Sequence, residues 1–598
     1  MQAIILAAGM GKRLGELTKD STKCMVKVAG VTLIERLLNQ LEKFNLSRIV
    51  VVDGYQGKKL EDFINSLNIQ TPIEYVENKV YDKTNNIYSL YLASNYLEKE
   101  DTLLFESDII MEDSIIEQLI NNPYDNLAVV AKYENWMDGT VLSIDSDLKI
   151  RQFYSSKEMD STVLHKYYKT VNVYKFSKDF AKNMYVPFLA TYCKILGKNE
   201  YYEQVLKVLT FIDNSGLKVL PLKDEKWYEI DDIQDLDIAE SLFSKDSYHK
   251  IAGRYGGYWR YPKMLDYCYL VNPYFPNEKL VNELSASFHE LLITYPSGKG
   301  INDLLASRYF EVKQEHIVLG NGAAELINEL TKYIEGKVGI VRPTFEEYPN
   351  RLDKDRLVVY YTHEENDFRY TAQNLIDYFA DKDIKNLIFI NPDNPSGNYL
   401  NRQDTQKLVE WTEQAGIRLV IDESFIDFST EKITYLNNDF IDRHKHVVII
   451  KSISKSFGVP GLRLGVMASS DIELIEHIRH SSPIWNINSF AEYYMQIMLK
   501  YKKAYEQAMD RFRAERERFV KDLNSIGFLR VLPSEANYVL CQITKQFTSE
   551  QLCNLLLKEK NILIKDCKGK CEGEYIRLAI RDDKDNDKLI ETLKHYAN

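Results

Sequence analysis

Two successive series of short β-branched runs and longer amphipathic stretches constrain this sequence more than any other feature. In the first series, runs over residues 48–53, 102–106 and 127–132 alternate with stretches such as residues 33–44. Short apolar runs of this kind predict strands, and the longer stretches with a helical repeat predict helices. The pattern is typical of an α/β protein built from stacked β–α units around a mostly parallel sheet.

The alternation pauses once, at a polar segment over residues 241–250 that follows an acidic stretch. A chain of 598 residues, 45% of them hydrophobic, is long enough for two to four domains with separate cores. We therefore predict a domain over residues 1–240, a linker over 241–250 and a second domain over 251–598. Within the second, we expect a large domain over about 296–490 and a small one from about 251–295 and 491–598, with a long charged helix over 494–525 between them.

Composition excludes several function classes. The formal net charge of -12 argues against a nucleic-acid partner and favours small phosphorylated substrates. No apolar run approaches the roughly 20 residues of a membrane span, and the short apolar start lacks a basic leader, so we expect a cytoplasmic protein. The seven cysteines are interpreted as reduced thiols and not as a disulfide framework. Cys567 and Cys571 are interpreted as incidental thiols, because four ligands at zinc spacing are missing.

The first predicted strand, residues 2–6, leads into a small-residue turn followed by basic side chains. Bare backbone N–H groups in such a turn can bind phosphates, although glycines also serve tight turns for steric reasons alone. Lys23 can reach the same place as a third cation. The candidate phosphate-binding residues are Leu6, Ala8, Gly9, Gly11, Lys12, Arg13 and Lys23.

Carboxylates stand at the ends of two later strands. Asp108 follows an apolar run, and Glu229 and Asp231 lie on one face of an extended segment. Joining a triphosphate to a second anion needs a divalent metal to offset their repulsion. Taken singly, each carboxylate is more often a solvated or capping residue, so only the set predicts a metal site.

The order Leu-Ala-Ala-Gly-x-Gly-x-Arg at the chain start, followed by Lys23, resembles the sugar-phosphate and phosphocholine nucleotidyltransferases. The segment over residues 81–89, with Asn86 and Ser89, is similar to that of phosphocholine-type cytidylyltransferases. The resemblance covers about residues 1–240. It implies a Rossmann-like mixed sheet, Mg²⁺ at Asp108 and Asp231 with Glu229 as an addition, and CTP as donor. It also implies a small zwitterionic acceptor, with Lys12, Arg13 and Lys23 stabilising transition-state charge on the α-phosphate.

Three residues are candidates for the acceptor's ammonium group. Trp136 and Tyr174 offer π faces to a cation, and Asp138 offers a counter-charge. An isolated tryptophan is equally consistent with a core or interface aromatic, and the sequence leaves both interpretations open.

Lys455 lies just after an apolar strand, in a turn that carries further polar side chains. Ser452, Ser454 and Arg463 suit a phosphate, while Asp422 at a strand end can hold a pyridinium nitrogen protonated. Asn394 is placed to hydrogen-bond a ring hydroxyl oxygen. Together these residues indicate a pyridoxal phosphate site with Lys455 as the cofactor-binding, catalytic lysine.

This set resembles the fold-type I aminotransferases of classes I and II, most of all the histidinol-phosphate aminotransferase and threonine-phosphate decarboxylase group, over about residues 250–598. The resemblance implies a large α/β domain, a small α+β domain and a homodimer. It implies that Gly322, Ala323 and Ala324 begin a phosphate-binding helix and that Phe345 stacks on the cofactor ring. It implies that Tyr295 reaches the cofactor phosphate in the neighbouring subunit's site. It also implies that Arg577 binds the α-carboxylate of the amino-acid substrate.

Phe425 departs from that pattern, because the family often has tyrosine three residues after the pyridine-binding aspartate. No phenol can then hydrogen-bond the ring oxygen from this position. We hypothesise that the proton affinity of the lysine–cofactor linkage differs from the usual one. An absorbance titration with the ordinary pKa, unmoved by Phe425→Tyr, would contradict this.

Two activities on one chain suggest consecutive steps, since tethering raises the effective concentration of a shared intermediate. Transamination of phosphonoacetaldehyde would give 2-aminoethylphosphonate, which the first domain would couple to CTP, as in fused phosphonate cytidylyltransferase–transaminase enzymes. A second interpretation is a phospho-amino-acid decarboxylase that supplies an aminoalkyl phosphate. A scaffolding protein with degenerate domains is disfavoured, because the expected charged and nucleophilic residues are present.

Overall fold

A computed structural model describes residues 1–154, 158–211, 216–261 and 263–597. The chain divides into an N-terminal unit, Met1–Lys263, and a C-terminal unit, Met264–Asn598. Across the described residues, no helix is both long and apolar enough to cross a membrane.

The N-terminal unit alternates strands and helices as the sequence pattern predicts. Its strands are β1 (Gln2–Leu6), β2 (Lys27–Val28), β3 (Val31–Thr32), β4 (Ile49–Asp53), β5 (Ile73–Glu77), β6 (Thr102–Glu106), β7 (Ile109–Met111), β8 (Leu127–Lys132), β9 (Val141–Ile144), β10 (Ile150–Tyr154), β11 (Tyr168–Phe176), β12 (Lys218–Pro221) and β13 (Trp227–Glu229). Its helices are α1 (Leu33–Leu41), α2 (Gly57–Ser66), α3 (Asn86–Leu92), α4 (Ser94–Leu97), α5 (Asp113–Asn121), α6 (Lys178–Phe180), α7 (Val186–Ile195), α8 (Glu203–Thr210), α9 (Ile233–Phe243) and α10 (Ser247–Ala252).

The main sheet of this unit is mixed, as predicted. Its order is β10-β9-β11-β6-β1-β4-β5, and β8 pairs with both β11 and β12. Strand β1 lies parallel between β4 and β6, whereas β11 runs antiparallel to β6 and β8. Every residue of β1 and β4 is buried because helices cover both faces, which explains their continuous apolar sequence.

The C-terminal unit contains a larger and a smaller sheet. Its strands are β14 (Leu265–Asp266), β15 (Ile317–Asn321), β16 (Val338–Arg342), β17 (Leu357–Tyr361), β18 (Asn386–Ile390), β19 (Arg418–Asp422), β20 (Val447–Ser452), β21 (Leu464–Ala468), β22 (Leu529–Val531), β23 (Tyr538–Ile543), β24 (Ile562–Leu563), β25 (Lys565–Asp566) and β26 (Tyr575–Ala579). Its helices are α11 (Glu278–Ala286), α12 (Phe288–Ile293), α13 (Lys299–Phe310), α14 (Ala323–Tyr333), α15 (Glu347–Asn350), α16 (Ala372–Phe379), α17 (Arg402–Gln414), α18 (Asn438–Arg443), α19 (Ile453–Ser456), α20 (Ile472–Ser481), α21 (Ser489–Ile497), α22 (Lys502–Leu523), α23 (Ser549–Lys560) and α24 (Asp583–Ala597).

The larger sheet has the order β15-β21-β20-β19-β18-β16-β17, and the smaller one the order β22-β23-β26-β25. Strands β16 to β20 are parallel, and β21 runs antiparallel to β20 and β15. The carboxyl ends of the parallel strands therefore meet the start of β21 at one sheet edge. Such an edge is where α/β proteins hold their ligands.

Residues 241–250, predicted as a linker, belong to the N-terminal unit in this structure. They form the end of α9 and most of α10, and the two units meet after residue 263. Ser241 and Tyr261 share a hydrogen bond of 2.8 Å, and Arg260 donates to Asp235 at 2.6 Å. The segment has a polar surface but buries Tyr248, and Ile251 just after it is buried as well.

Candidate active sites

A cavity of about 530 Å³ opens beside the ends of β1 and β6 in the N-terminal unit. It gathers most of the side chains predicted for nucleotide and metal binding. The predicted residues that line it are Leu6, Ala8, Gly9, Arg13, Lys23, Asn86, Ser89, Asp108, Asp138, Glu229 and Asp231. Gly11, Lys12, Trp136 and Tyr174 are not among the lining residues.

Gly11 shapes the turn rather than the cavity wall. Its φ of +61° lies in the left-handed region, and a β-carbon there would lie 3.0 Å from the Cβ of Lys23. Its carbonyl accepts hydrogen bonds from Thr18 and Leu14. Gly11 thus lets the Lys23 side chain pass close to the turn. This is the steric role that glycines can have in such a turn, as opposed to phosphate binding.

Lys23 forms the centre of an ion-pair cluster. Its Nζ lies 2.5 Å from Asp108 Oδ2 and 2.7 Å from Asp231 Oδ1, and Arg13 also reaches Asp231 at 2.7 Å. Burial alone would lower the pKa of Lys23, but the two carboxylates outweigh it and raise that pKa. Burial opposes ionisation of Asp231, yet Lys23 and Arg13 hold its pKa below the ordinary value.

Asp108, Glu229 and Asp231, the predicted metal ligands, each offer an oxygen within 4.8 Å of the others. Glu229 is held by Lys169 and by Asn172, each at 3.0 Å. Asp108 Oδ1 is buried and has no hydrogen-bond partner among the described residues. Three convergent carboxylates, one with an orphaned oxygen, fit the all-oxygen coordination that Mg²⁺ prefers.

The start of α9 fixes Asp231. Asp232 caps this helix by accepting from Asp235 N at 2.9 Å, and Asp235 in return accepts from the backbone N–H groups of Asp231 and Asp232. The backbone of one predicted metal ligand is thereby tied to a helix N-terminus.

The structure contradicts one of the two predicted π contacts with the acceptor, that of Tyr174. Tyr174 is 0% exposed on β11, where it packs against Phe176 and Tyr202, so it presents no face to the cavity. Trp136 stacks on Tyr228 with 5.2 Å between ring centroids and also contacts Arg260. It lines a neighbouring cavity of about 170 Å³ that shares Arg13, Asp138, Glu229 and Asp231 with the main one, so its role toward the acceptor stays a prediction. A tryptophan motif alone could not distinguish a ligand face from this packing.

Sequence reasoning missed the acidic inner end of the main cavity, formed by Glu106 and Glu203. Asn86 donates to Glu106 at 2.8 Å, and Tyr174 donates to Glu203 at 3.3 Å. Glu106 could have been predicted from the sequence, because it ends an apolar strand two residues before Asp108. Glu203 sits in a tyrosine-rich stretch with no motif, and only the packing of α8 brings it to the cavity.

In the C-terminal unit, the predicted cofactor residues converge on one edge of the larger sheet. Asp422 ends β19, Ser452 ends β20 and Lys455 lies in α19, the next turn. Asn394 follows β18, and Gly322 stands between β15 and α14.

The Lys455 amine is buried near two guanidinium groups. Burial, Arg577 and Arg463 lower its pKa to about 8, while Asp422 opposes the shift. The amine is therefore more easily deprotonated than an ordinary lysine, which suits a nucleophile and a proton acceptor.

Asp422 is buried at the end of β19 and accepts two hydrogen bonds of 2.8 Å, one from Ser424 N and one from the Tyr348 hydroxyl. Burial raises its pKa, and these donors counteract that effect. A buried carboxylate kept ready to ionise fits the partner of a pyridinium nitrogen.

The start of α14 and Arg463 form a cradle that fits a phosphate. Gly322 has a φ of +77°, and a β-carbon there would lie 2.7 Å from Arg463 Nη2. Ala323 and Ala324 begin the helix, whose first N–H groups have no side-chain cap among the described residues and can bind an anion. Ser454 Oγ is buried without a hydrogen-bond partner in the described chain. The residues present therefore fit pyridoxal phosphate.

Arg577 reaches this edge from the smaller sheet, where it donates to Asn394 at 2.7 Å and to the carbonyl of Cys268 at 3.2 Å. Phe345, beyond β16, is 40% exposed. Phe425 packs edge-on against Tyr538 with 5.2 Å between centroids. The hypothesis about the missing phenol at Phe425 stays a prediction.

Tyr295 lies on the surface, where it is 75% exposed and stacks on Trp485 with 4.5 Å between ring centroids. The sequence analysis missed Tyr348 and Ser424 as Asp422 partners. Ser424 could have been found from its position two residues after Asp422, but Tyr348 comes from a different β–α connection.

The fold and both sites define a two-domain enzyme, and the chain belongs to the family of class I and II aminotransferases, whose model matches residues 278–593. Residues 3–169 match the model of a MobA-like NTP transferase domain. The predicted nucleotidyltransferase and fold-type I domains are thus confirmed.

A relative of nearly the same length is the CMP-5'-(3-aminopropyl)phosphonate synthase of Streptomyces rubellomurinus. It is 28% identical over 596 residues, which cover 99% of this chain and 94% of the relative. The L-serine phosphate decarboxylase of Sulfurospirillum multivorans is 32% identical over 345 residues, 55% of this chain and 87% of the relative. The structure of histidinol-phosphate aminotransferase from Clostridium acetobutylicum matches with a TM-score of 0.50 and 29% identity, covering 56% of this chain and 99% of that one.

Proposed function

We propose that the C-terminal unit makes an aminoalkylphosphonate and that the N-terminal unit couples it to CTP, giving a CMP-aminoalkylphosphonate and pyrophosphate. The observation that carries this proposal is the similarity over 99% of the chain to a CMP-(aminopropyl)phosphonate synthase. The carboxylate and lysine cluster of the N-terminal cavity supports it, because nucleotidyl transfer needs those groups together.

In the N-terminal unit, Asp108 and Asp231 would hold Mg²⁺ with Glu229. The metal would offset triphosphate charge and the charge on the leaving pyrophosphate. Arg13 and Lys23 would face the α-phosphate, with Lys12 at the rim. The backbone at Leu6, Ala8 and Gly9, together with Asn86 and Ser89, would hold the nucleotide.

In the C-terminal unit, Lys455 would bind pyridoxal phosphate, which supplies an electron sink when bound. Once displaced by the substrate amine, the Lys455 Nζ would move a proton at the substrate Cα. Arg463, Ser452, Ser454 and the start of α14 would hold the phosphate. Asp422 would hold the ring nitrogen, Asn394 the ring oxygen, Phe345 the ring face and Arg577 a carboxylate.

For the C-terminal reaction we propose transamination of phosphonoacetaldehyde to 2-aminoethylphosphonate. The second candidate is decarboxylation of a phosphorylated or phosphonylated amino acid, favoured by the 32% identity to an L-serine phosphate decarboxylase. Both give an amine with an acid group. Formation of a 2-oxo acid from an amino donor supports transamination, whereas release of CO₂ without an oxo acid supports decarboxylation.

The first experiment is a pyrophosphate-release screen with the full chain and Mg²⁺. It crosses the four nucleoside triphosphates with 2-aminoethylphosphonate, phosphoethanolamine, phosphocholine and sugar 1-phosphates. We expect release with CTP and 2-aminoethylphosphonate. Release only with a sugar 1-phosphate, or with phosphocholine alone, would contradict the proposed acceptor.

The matched control for the C-terminal reaction is Lys455→Ala. We expect this variant to lose the visible absorbance of bound pyridoxal phosphate and amine formation, and to keep pyrophosphate release with added amine. Loss of both activities would contradict the assignment of one activity to each unit.

We also propose a homodimer through the C-terminal unit, with Tyr295 completing the partner's site. Tyr295 and Trp485 stack on each other although they are 75% and 50% exposed. An exposed aromatic pair of this kind supports a surface that the partner subunit covers. Sedimentation of the full chain should give twice the monomer mass, and Tyr295→Ala should weaken pyridoxal phosphate binding.

A further inference from the structure

The inner end of the N-terminal cavity carries a buried carboxylate, Glu203, that has no basic partner among the described residues. Glu203 begins α8, is 5% exposed and lines the cavity. One carboxylate oxygen accepts from the Tyr174 hydroxyl at 3.3 Å, and the other, Oε2, has no hydrogen-bond partner among the described residues. A buried oxygen of this kind costs free energy unless a donor reaches it.

Glu106 stands beside Glu203 as a second buried carboxyl group, and burial raises the pKa of both. Asn86 links them, since it donates to Glu106 at 2.8 Å and accepts from the backbone N–H of Tyr202 at 3.0 Å. The nearby Lys169 pairs with Glu229 at 3.0 Å instead. In the described part of the chain, neither glutamate forms an ion pair with a basic side chain, and a cation on the ligand would therefore favour their ionised forms.

We propose that Glu203 and Glu106 bind the ammonium group of the acceptor and select a primary amine over a quaternary one. This inference rests on the proposed cytidylyl transfer and names the part of the acceptor that is recognised. A primary ammonium has three N–H donors, which satisfy the orphaned Glu203 oxygen and reach Glu106 as charge-assisted hydrogen bonds. A trimethylammonium group offers positive charge but no donor, so the oxygen stays unsatisfied.

The arrangement also replaces the π contact predicted for Tyr174. Tyr174 does not face the ligand, and its hydroxyl holds the first oxygen of Glu203. Tyr174 is therefore a positioning residue for the carboxylate, and Glu203 is the group that touches the amine.

The first test uses the wild-type full chain and changes the acceptor alone. Pyrophosphate release with CTP and Mg²⁺ is measured for 2-aminoethylphosphonate and its N-methyl, N,N-dimethyl and N,N,N-trimethyl derivatives. We expect kcat/KM to fall along the series and to be at least about 100-fold lower for the trimethyl compound, because a site built for N–H donors rejects the analogue that lacks them. Equal use of the primary and trimethyl compounds would overturn the proposal.

The second test uses Glu203→Gln, which keeps the shape and removes the charge. We expect the KM for 2-aminoethylphosphonate to rise about 10- to 100-fold, as for loss of hydrogen bonds to a charged group, with the KM for CTP unchanged. The unchanged KM for CTP also shows that the variant is folded. Glu117→Gln, an exposed carboxylate on α5, is the matched control and should behave as the wild type.

The outcomes separate this inference from the function on which it rests. If the wild type releases no pyrophosphate from CTP with any aminoalkyl phosphonate or phosphate, the proposed function fails, and the ammonium assignment fails with it. If the wild type is active but Glu203→Gln raises only the KM for CTP, the carboxylate serves the cytosine amino group and the ammonium assignment alone is overturned. A rise confined to the Mg²⁺ requirement would overturn it in favour of a metal.

Discussion

Burial, Arg577 and Arg463 lower the pKa of the Lys455 amine to about 8, well below the ordinary lysine value. Below that pH the group is a protonated ammonium, and above it the neutral amine that adds to an aldehyde predominates. We predict that the rate at which the apoprotein takes up pyridoxal phosphate rises through about pH 8. Visible absorbance in a stopped-flow experiment measures this.

Arg577→Gln removes one repelling charge, so the midpoint of that pH profile should move upward. The control is Arg511→Gln, a 62% exposed arginine, which should leave the midpoint in place. A downward shift in Arg577→Gln, or a wild-type midpoint near the ordinary lysine value, would contradict the described environment.

The Tyr348 hydroxyl donates to Asp422 at 2.8 Å and counteracts the burial that raises the pKa of this carboxyl group. In Tyr348→Phe the pKa of Asp422 should rise further, which weakens its hold on a pyridinium nitrogen. We predict an increase of roughly 10-fold or more in the dissociation constant of pyridoxal phosphate, the size expected for a hydrogen bond to a charged group.

Tyr494→Phe is the control for that change, because the Tyr494 hydroxyl is buried without a partner among the described residues. Fluorescence or absorbance titration of the two apoproteins gives the comparison. Equal affinities in both variants would show that the Tyr348 hydroxyl does not act on the cofactor partner.

At the scale of elements, the turn after β1 depends on Gly11. Alanine there meets both an unfavourable left-handed φ and the Lys23 side chain 3.0 Å away. We predict that Gly11→Ala lowers the free energy of unfolding by at least about 1 kcal/mol and raises the KM for CTP.

Gly30→Ala is the matched control, since its φ is also positive, +82°, and a β-carbon there meets nothing within 4 Å. It should lower stability without changing the KM for CTP. If both variants change that KM equally, the effect is general strain and not displacement of Lys23.

The capping box of α9 holds the backbone of Asp231. Asp232→Ala removes the cap and should lower stability by about 0.5–2 kcal/mol. Because Asp231 is then less fixed, the Mg²⁺ concentration for half-maximal pyrophosphate release should rise. Asp232→Asn keeps a capping oxygen and should restore the wild-type value, and failure to do so would assign Asp232 a role through its charge.

The sequence predicted the strand-end positions well, because a buried parallel strand has a distinctive apolar run and its end is easily located. Asp108, Asp422 and Lys455 were found in this way. Side-chain direction was harder, since only packing decides whether a residue such as Tyr174 faces the core or a cavity. Glu203 could not be predicted, because no motif surrounds it and only the packing of α8 against β10 brings it to the cavity.

For the whole molecule, the two compact units predict where the chain can be divided. Residues 1–263 include Tyr248, Ile251 and Tyr261, each about 2% exposed, which residues 1–240 would lose. We predict that the longer fragment unfolds at least about 5 °C above the shorter one, because burying such side chains contributes several kcal/mol. Calorimetry of both fragments tests this, and equal melting temperatures would support the earlier boundary.

Among the described residues, seven acidic and three basic side chains line the main N-terminal cavity. Free triphosphate meets net repulsion in such a site, whereas its magnesium complex brings the missing positive charge. We therefore expect an ordered kinetic mechanism in which the metal–nucleotide complex enters first and the zwitterion second. The affinity of this acidic cavity for cations should fall as the ionic strength rises. Added salt should therefore weaken magnesium binding more than it weakens nucleotide binding.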